Sequence, residues 1–214
     1  MSTYSYDRWS WLWREASGRG DGRTWFDLLS MGYSEPHRFY HNARHIAECL
    51  DEFDAARKFA KEPVAAEFAL WFHDAIYNVH APDNEEQSAE LAERCLEAAH
   101  VVKKYGPAVR ELILATKTHG GSQHPDAGLV VDVDLSILGR EEARFVEYEE
   151  EIRQEYSFVP EALFSQKRAD ILEDFLVRES IYATDFFKKK YESQARANLR
   201  ASIRKLRGQG TGAK

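Results

Sequence analysis

The chain has 214 residues, 43% of them hydrophobic and 30% charged, with a formal net charge of −7. This length fits one domain at the common size of about 100–200 residues and is enough to bury a sizeable core, and the mixture of apolar and charged residues excludes a disordered polymer. The acidic balance argues against a nucleic-acid polymer as partner, because surfaces that track phosphates need a basic excess.

Apolar residues recur at helical spacing and the pattern yields hardly any strands, so an all-α helical bundle is expected. An aromatic opening (Trp9, Trp11, Trp13) and the Gly- and Arg-rich loop GRGDGR precede a short helix over 24–33, and Pro36 then interrupts the chain. A helix over 42–61 places Ile46, Cys49, Leu50 and Phe53 on one stripe. Pro63 opens the next helix, through residue 77, at a position where proline is tolerated. Further helices are expected over 84–102, 107–119, 126–138, 141–156, 160–177 and 180–206, separated by Gly, Pro and polar breaks. The segment LVVDVDL alternates and is compatible with a short strand, although its flanks favour helix. No repeat or composition shift marks a second domain, which gives one domain over 1–207 and a flexible tail over 208–214.

No apolar run approaches the roughly 18–20 residues that cross a bilayer. The start MSTYSYDRWSWLW also lacks the basic and apolar regions of a signal peptide, so a cytoplasmic protein without a membrane partner is expected. Cys49 and Cys95 are far apart, without the close spacing of a zinc ribbon or redox pair, and are read as reduced core residues.

The most informative stretch is VAAEFALWFHDAIY, residues 64–77, in which eight of the nine residues from Val64 to Phe72 are apolar. A helix apolar on nearly every side belongs in the middle of a domain. His73 and Asp74 follow directly, in or beside the core, where an unpaired ionised group costs several kcal/mol. A divalent metal compensates such charge, since carboxylate and neutral imidazole are both good ligands; a backbone-bonded His and a capping or Arg-paired Asp are the alternative. In YHNARHIAECL, His41 and His45 share a helix face, and His45 flanks the apolar stripe. In DAGLVVDVDLSILG, helical spacing surrounds Asp134 with Val130, Val131, Ile137 and Leu138, making it the more buried carboxylate and Asp132 the less buried one.

His, then His-Asp, then Asp, each in apolar surroundings on separate helices, resembles the HD superfamily of metal-dependent phosphohydrolases, and within it a bacterial group of small predicted HD phosphohydrolases. The resemblance rests on YHNARHI, WFHDAIY, DNEEQSA, ATKTH, VDVDLSILG, KRADIL and YESQARANL, and covers most of the chain. It implies an HD-type bundle in which His45, His73, Asp74 and Asp134 bind one divalent ion, with Asp132 the runner-up for the last place. Mn, Co, Fe, Ni and Zn suit mixed nitrogen and oxygen ligation better than Mg does, without a choice among them. Some HD nucleotidases carry an acidic catalytic residue shortly after the pair, whereas Ala75, Ile76 and Tyr77 follow here.

The implied reaction is hydrolysis of phosphate esters or anhydrides of a nucleotide or related small phosphorylated metabolite, with Asp74 both a ligand and an orienter of water. Glu85 is the candidate general base, or else part of an ordinary acidic first helical turn. His119 is a candidate for a second metal or a phosphate oxygen, and Lys117 and Arg168 are candidates to neutralise phosphate. The aromatics Tyr40, Trp71, Phe72 and Tyr77 either stack a base or pack the core. Two alternatives remain open: a catalytically silent nucleotide-binding or interaction module, and a di-iron oxygenase drawing on His41 and His119. Homo-oligomer formation is left open as well.

Overall fold

A computed structural model of the protein describes residues 3–118 and 122–209. Among these residues all regular structure is helical, and LVVDVDL is helix rather than strand. The chain divides into two compact units, Met1–Asp134 and Leu135–Lys214.

The first unit is organised around one helix. It contains α1 (Tyr6–Glu15), α2 (Arg23–Gly32), α3 (Ala43–Ala56), α4 (Pro63–Phe72), α5 (Asn84–Ala98), α6 (Val102–Thr118) and α7 (Ala127–Asp134). Helix α4 packs against α1, α3, α5, α6 and α7, and every residue from Ala65 to Phe72 is buried. Its all-round apolar character is thus the cause of its central place. The one charged residue of that run, Glu67, is fully buried and ion-paired with Arg8 (2.8 Å) and Arg57. The start of α4 is held from α7's side: the buried Asp126 carboxylate accepts the backbone N–H groups of Lys61 (2.7 Å) and Glu62 (2.6 Å). A carboxylate there also complements the positive end of the helix dipole.

Helix α1 lies where only an aromatic opening was expected. Ser5 caps it by accepting the Arg8 N–H, and Trp9, Leu12 and Trp13 fall on one buried face. The GRGDGR loop folds onto that face, with the Trp9 indole donating to the Gly22 carbonyl (2.9 Å) and that of Trp13 to Arg19 (3.0 Å). Gly22 has φ +67°, and a Cβ there would meet both indoles within 2.8 Å, so both the backbone and the packing require glycine.

Three other expectations are corrected. Helix α4 ends at Phe72 rather than continuing through residue 77: the Phe72 carbonyl accepts from the Ala75 N–H, and the Ile76 N–H, its partner in a continuing helix, goes to Ser88 Oγ. Pro107 lies inside α6 instead of opening it, and the carbonyl that loses its partner, that of Lys103, is on an exposed residue. The helix expected over 126–138 changes at Asp134 from α to a 3-10 segment, Leu135–Gly139.

The second unit comprises that 3-10 segment, α8 (Glu142–Glu155), α9 (Glu161–Leu176) and α10 (Asp185–Gln209). Helix α10 packs on α9 and on the 3-10 segment, where Asn198 donates to the carbonyls of Leu138 and Arg140. It extends past the point where the tail was expected to begin.

Candidate metal centre

Three helices of the first unit deliver the site. His45 lies in the first turn of α3, whose cap is Asn42; His73 is the C-cap of α4; Asp74 begins the turn beyond it; Asp134 is the last residue of α7. The Nε2 atoms of His45 and His73 face each other at 3.1 Å. Asp74 Oδ2 lies 3.3 Å from His45 Nε2 and 3.1 Å from His73 Nε2, and Asp134 Oδ1 lies 3.2 and 3.5 Å from the same two atoms. Both imidazoles are buried, while the two carboxylates keep 18% of their side-chain surface exposed, so the cluster opens to solvent on the carboxylate side.

The donor set suits a divalent cation. Neighbouring ligands on one ion with bonds of about 2.1 Å are about 3.0–3.4 Å apart; four of the five separations here fall in that range and the fifth, His73 Nε2 to Asp134 Oδ1, is 3.5 Å. His73 Nδ1 lies 3.0 Å from the Leu70 carbonyl, a contact that requires the proton on Nδ1 and leaves the Nε2 lone pair facing the cluster in the neutral ring. Two carboxylates with neutral imidazoles carry two negative charges, which either protons on the rings or one divalent ion neutralises. Without the ion, electrostatics favours the protons. Burial pushes the His73 pKa down, but Asp74 and Asp134 outweigh it and hold it well above the ordinary imidazole value. His45 is likewise raised despite its burial, by Cys49 and Tyr40 and by its bonds to Asp134 and Asp74. Burial alone would raise Asp74 and Asp134, yet the histidines hold both below the usual carboxylate range.

Cys49, read from sequence as an inert core residue, is part of this neighbourhood. His45, Cys49, His73 and Asp134 each offer a ligand atom within 4.8 Å of the others, a buried group that could hold a metal ion. The Cys49 sulfur is 3.7 Å from both Nδ1 and Nε2 of His45. At that range, equal distances put it over the ring face rather than along either nitrogen lone pair.

The ranking of the two aspartates by burial is reversed. Asp132 is fully buried and Asp134 is not, because α-helical spacing stops at Asp134 and no longer governs where Ile137 and Leu138 fall. Asp134 nevertheless faces the two histidines. Sequence reasoning missed Arg38, whose buried guanidinium donates to the carbonyls of Asp74 (2.6 Å), Ala75 (3.0 Å) and His41 (3.2 Å) and to Glu35 (2.9 Å). No spacing rule signals its tie to the cluster, because the partners there are backbone carbonyls 36 and 37 residues away.

The remaining candidates are dispersed. Glu85 and Glu86 form the first turn of α5. Lys117 Nζ is 2.7 Å from Glu86, 2.6 Å from the Pro82 carbonyl and 3.7 Å from Glu85 Oε2. Arg168 belongs to the second unit, where its guanidinium pairs with Glu149 and donates to Tyr148 Oη (2.8 Å). Burial disfavours its charge, but Tyr148 and Glu149 overcome this and keep it firmly protonated. His119 lies outside the described residues. Trp71 and Phe72 are core: Trp71 packs on Tyr4 and Trp9, and neither reaches the surface. Among the described residues, no helix is long and apolar enough to cross a membrane.

Compared with protein-family models, with curated proteins and with solved structures, the chain gives no match.

Proposed function

We propose that the chain is an HD-type metal-dependent phosphohydrolase acting on phosphate esters or anhydrides of a nucleotide or related small phosphorylated metabolite. The observation that carries this reading is the approach of Asp74 Oδ2 and Asp134 Oδ1 to both His45 Nε2 and His73 Nε2 at 3.1–3.5 Å, with the two nitrogens 3.1 Å apart, in a cluster open on its carboxylate side. These four residues are the proposed ligands, and Cys49 is the packing partner of the His45 ring. A divalent ion held there, from the series Mn, Co, Fe, Ni, Zn or Mg, supplies Lewis acidity for activating water and for offsetting charge that develops on phosphoryl oxygens.

The chain's own residues do the rest. Asp74 accepts a hydrogen bond from the attacking water and fixes its direction. His73, with Nδ1–H committed to Leu70, keeps its lone pair toward the site. Arg38 holds the turn that carries Asp74. Glu85 is the proposed general base, tested by Glu85→Gln with metal content as control.

Elemental analysis of the purified wild type and the His73→Ala, Asp74→Ala double variant, followed by phosphate release from a nucleotide panel with Mn²⁺ added, tests the reading. Metal and turnover that both vanish in the variant support it. Bound metal in the wild type without turnover of any phosphoester replaces it with a nucleotide-binding module.

A further inference from the structure

Two of the helices that carry the proposed ligands, α4 and α7, start at one residue. Asp126 begins α7 through its backbone, its carbonyl accepting the Val130 N–H (3.0 Å). An aspartate at such a position ordinarily turns its carboxylate onto its own helix. Here the buried carboxylate goes to the neighbouring helix instead: Oδ1 accepts the Lys61 N–H (2.7 Å) and Oδ2 the Glu62 N–H (2.6 Å) at the entry to α4. The chain just ahead of Asp126 is fixed as well. Glu111 of α6 accepts from Ser122 Oγ (2.8 Å) and from the His124 N–H (2.9 Å), and His124 Nδ1 accepts the Asp126 N–H (3.1 Å).

From this shared origin α4 and α7 run side by side in the same direction, since they pack on each other and their far ends meet at the metal centre. At about 1.5 Å per residue, Asp134 lies about 12 Å along α7 from Asp126, and His73 about 16 Å along α4 from Glu62. At those far ends His73 Nε2 and Asp134 Oδ1 are 3.5 Å apart. Metal–ligand bonds tolerate departures of only about 0.2 Å, so an axial slip of α7 past α4 carries Asp134 out of reach of an ion held by His73 and Asp74. Lys61 and Glu62 are exposed, so water can replace the carboxylate as acceptor for their N–H groups. Water cannot replace the tie between the two helices.

We propose that Asp126 is a positioning residue of the metal centre, setting the axial register of α7 against α4 so that Asp134 reaches the ion. This rests on the ligand assignment within the phosphohydrolase reading and adds the device that brings one of those ligands into place.

The test is Co²⁺ affinity, by competition with a chromophoric chelator, for wild type, Asp126→Ala, Asp134→Ala and the double variant, with folding checked by circular dichroism. Asp126→Ala is expected to bind Co²⁺ about tenfold more weakly than wild type, as loss of an outer contact does at metal sites. In the Asp134→Ala background the ligand that Asp126 positions is gone. There the same substitution is expected to change affinity by less than about threefold, a non-additivity that general destabilisation would not give. Asp126→Asn keeps an acceptor oxygen for one of the two N–H groups and is expected to fall between wild type and Asp126→Ala; it takes the place of Asp126→Ala in the comparison if that variant does not fold. Affinity within about twofold of wild type overturns the proposal, and so does an equal loss in both backgrounds. Failure of the hydrolase reading appears separately, as absent phosphoester turnover by a wild type that binds Co²⁺.

Discussion

Replacing Arg38 by Met removes the guanidinium while keeping much of its apolar volume. The wild-type group makes three bonds to backbone carbonyls, those of Asp74, Ala75 and His41, and its side chain is 1% exposed. Bonds from a charged donor contribute about 1.5–3 kcal/mol each, and water entering at the partly exposed Asp74 side recovers some of this, so a loss of about 3 kcal/mol of folding stability is expected. The larger consequence is for the metal. Two of the three carbonyls belong to the turn that aims Asp74 at the histidines, and loss of such outer contacts typically weakens metal binding about 10–100-fold. Competition with a chromophoric chelator measures the affinity, and urea denaturation of the metal-free protein measures the stability. A variant that binds metal within twofold of wild type would refute the idea that Arg38 positions the Asp74 turn, whatever its stability.

Glu67→Leu leaves Arg8 and Arg57 without their buried partner in the middle of α4's surroundings, and breaking a buried pair costs about 3–5 kcal/mol. Because Arg8 also pairs with Asp54, a value near the lower end is expected from the urea midpoint, and an unchanged midpoint would contradict it. The metal-free centre should also give stability a pH dependence. The raised pKa values of His45 and His73 contribute stability that is complete below about pH 6.5, the unfolded value, and is lost as pH rises through the folded values. The depressed values of Asp74 and Asp134 contribute stability that is complete above about pH 4 and is lost as pH falls through their folded values. The stability difference between metal-free wild type and the His73→Ala, Asp74→Ala variant is therefore expected to be greatest between about pH 4 and 6.5 and to shrink as pH rises through the raised histidine values; a difference that grows with pH contradicts this.

What was legible in the sequence follows from periodicity and local charge. An apolar run interrupted only by Glu67 implies a central helix, and α4 is that helix. The Arg partners of the buried Glu67 lie 59 and 10 residues away, and no pattern names them. His45, His73, Asp74 and Asp134 were readable because each is a polar residue set in apolar surroundings, and they converge. Burial inferred from neighbours failed at Asp134, where the helix changes type. It also misjudged the direction of the signal, since Asp134 faces the open side of the cluster and is less buried than Asp132. Helix α1 had local signals in the Ser5 cap and the Trp9, Leu12, Trp13 spacing, masked by its density of indoles. The boundary between the two units at Asp134 left no trace in composition because α-helix passes directly into a 3-10 segment there, without Gly- or Pro-rich linker.

The measurement that bears most directly on the proposed centre is X-ray absorption of the Zn²⁺-loaded protein. Two imidazoles and carboxylate oxygens give a nearest shell of nitrogen and oxygen at about 2.0–2.1 Å with outer scattering from two rings, and the Cys49 sulfur, lying over the His45 ring, stays outside it. A sulfur scatterer at about 2.3 Å, or a shell without imidazole, would contradict the assignment of His45, His73, Asp74 and Asp134 as the ligands.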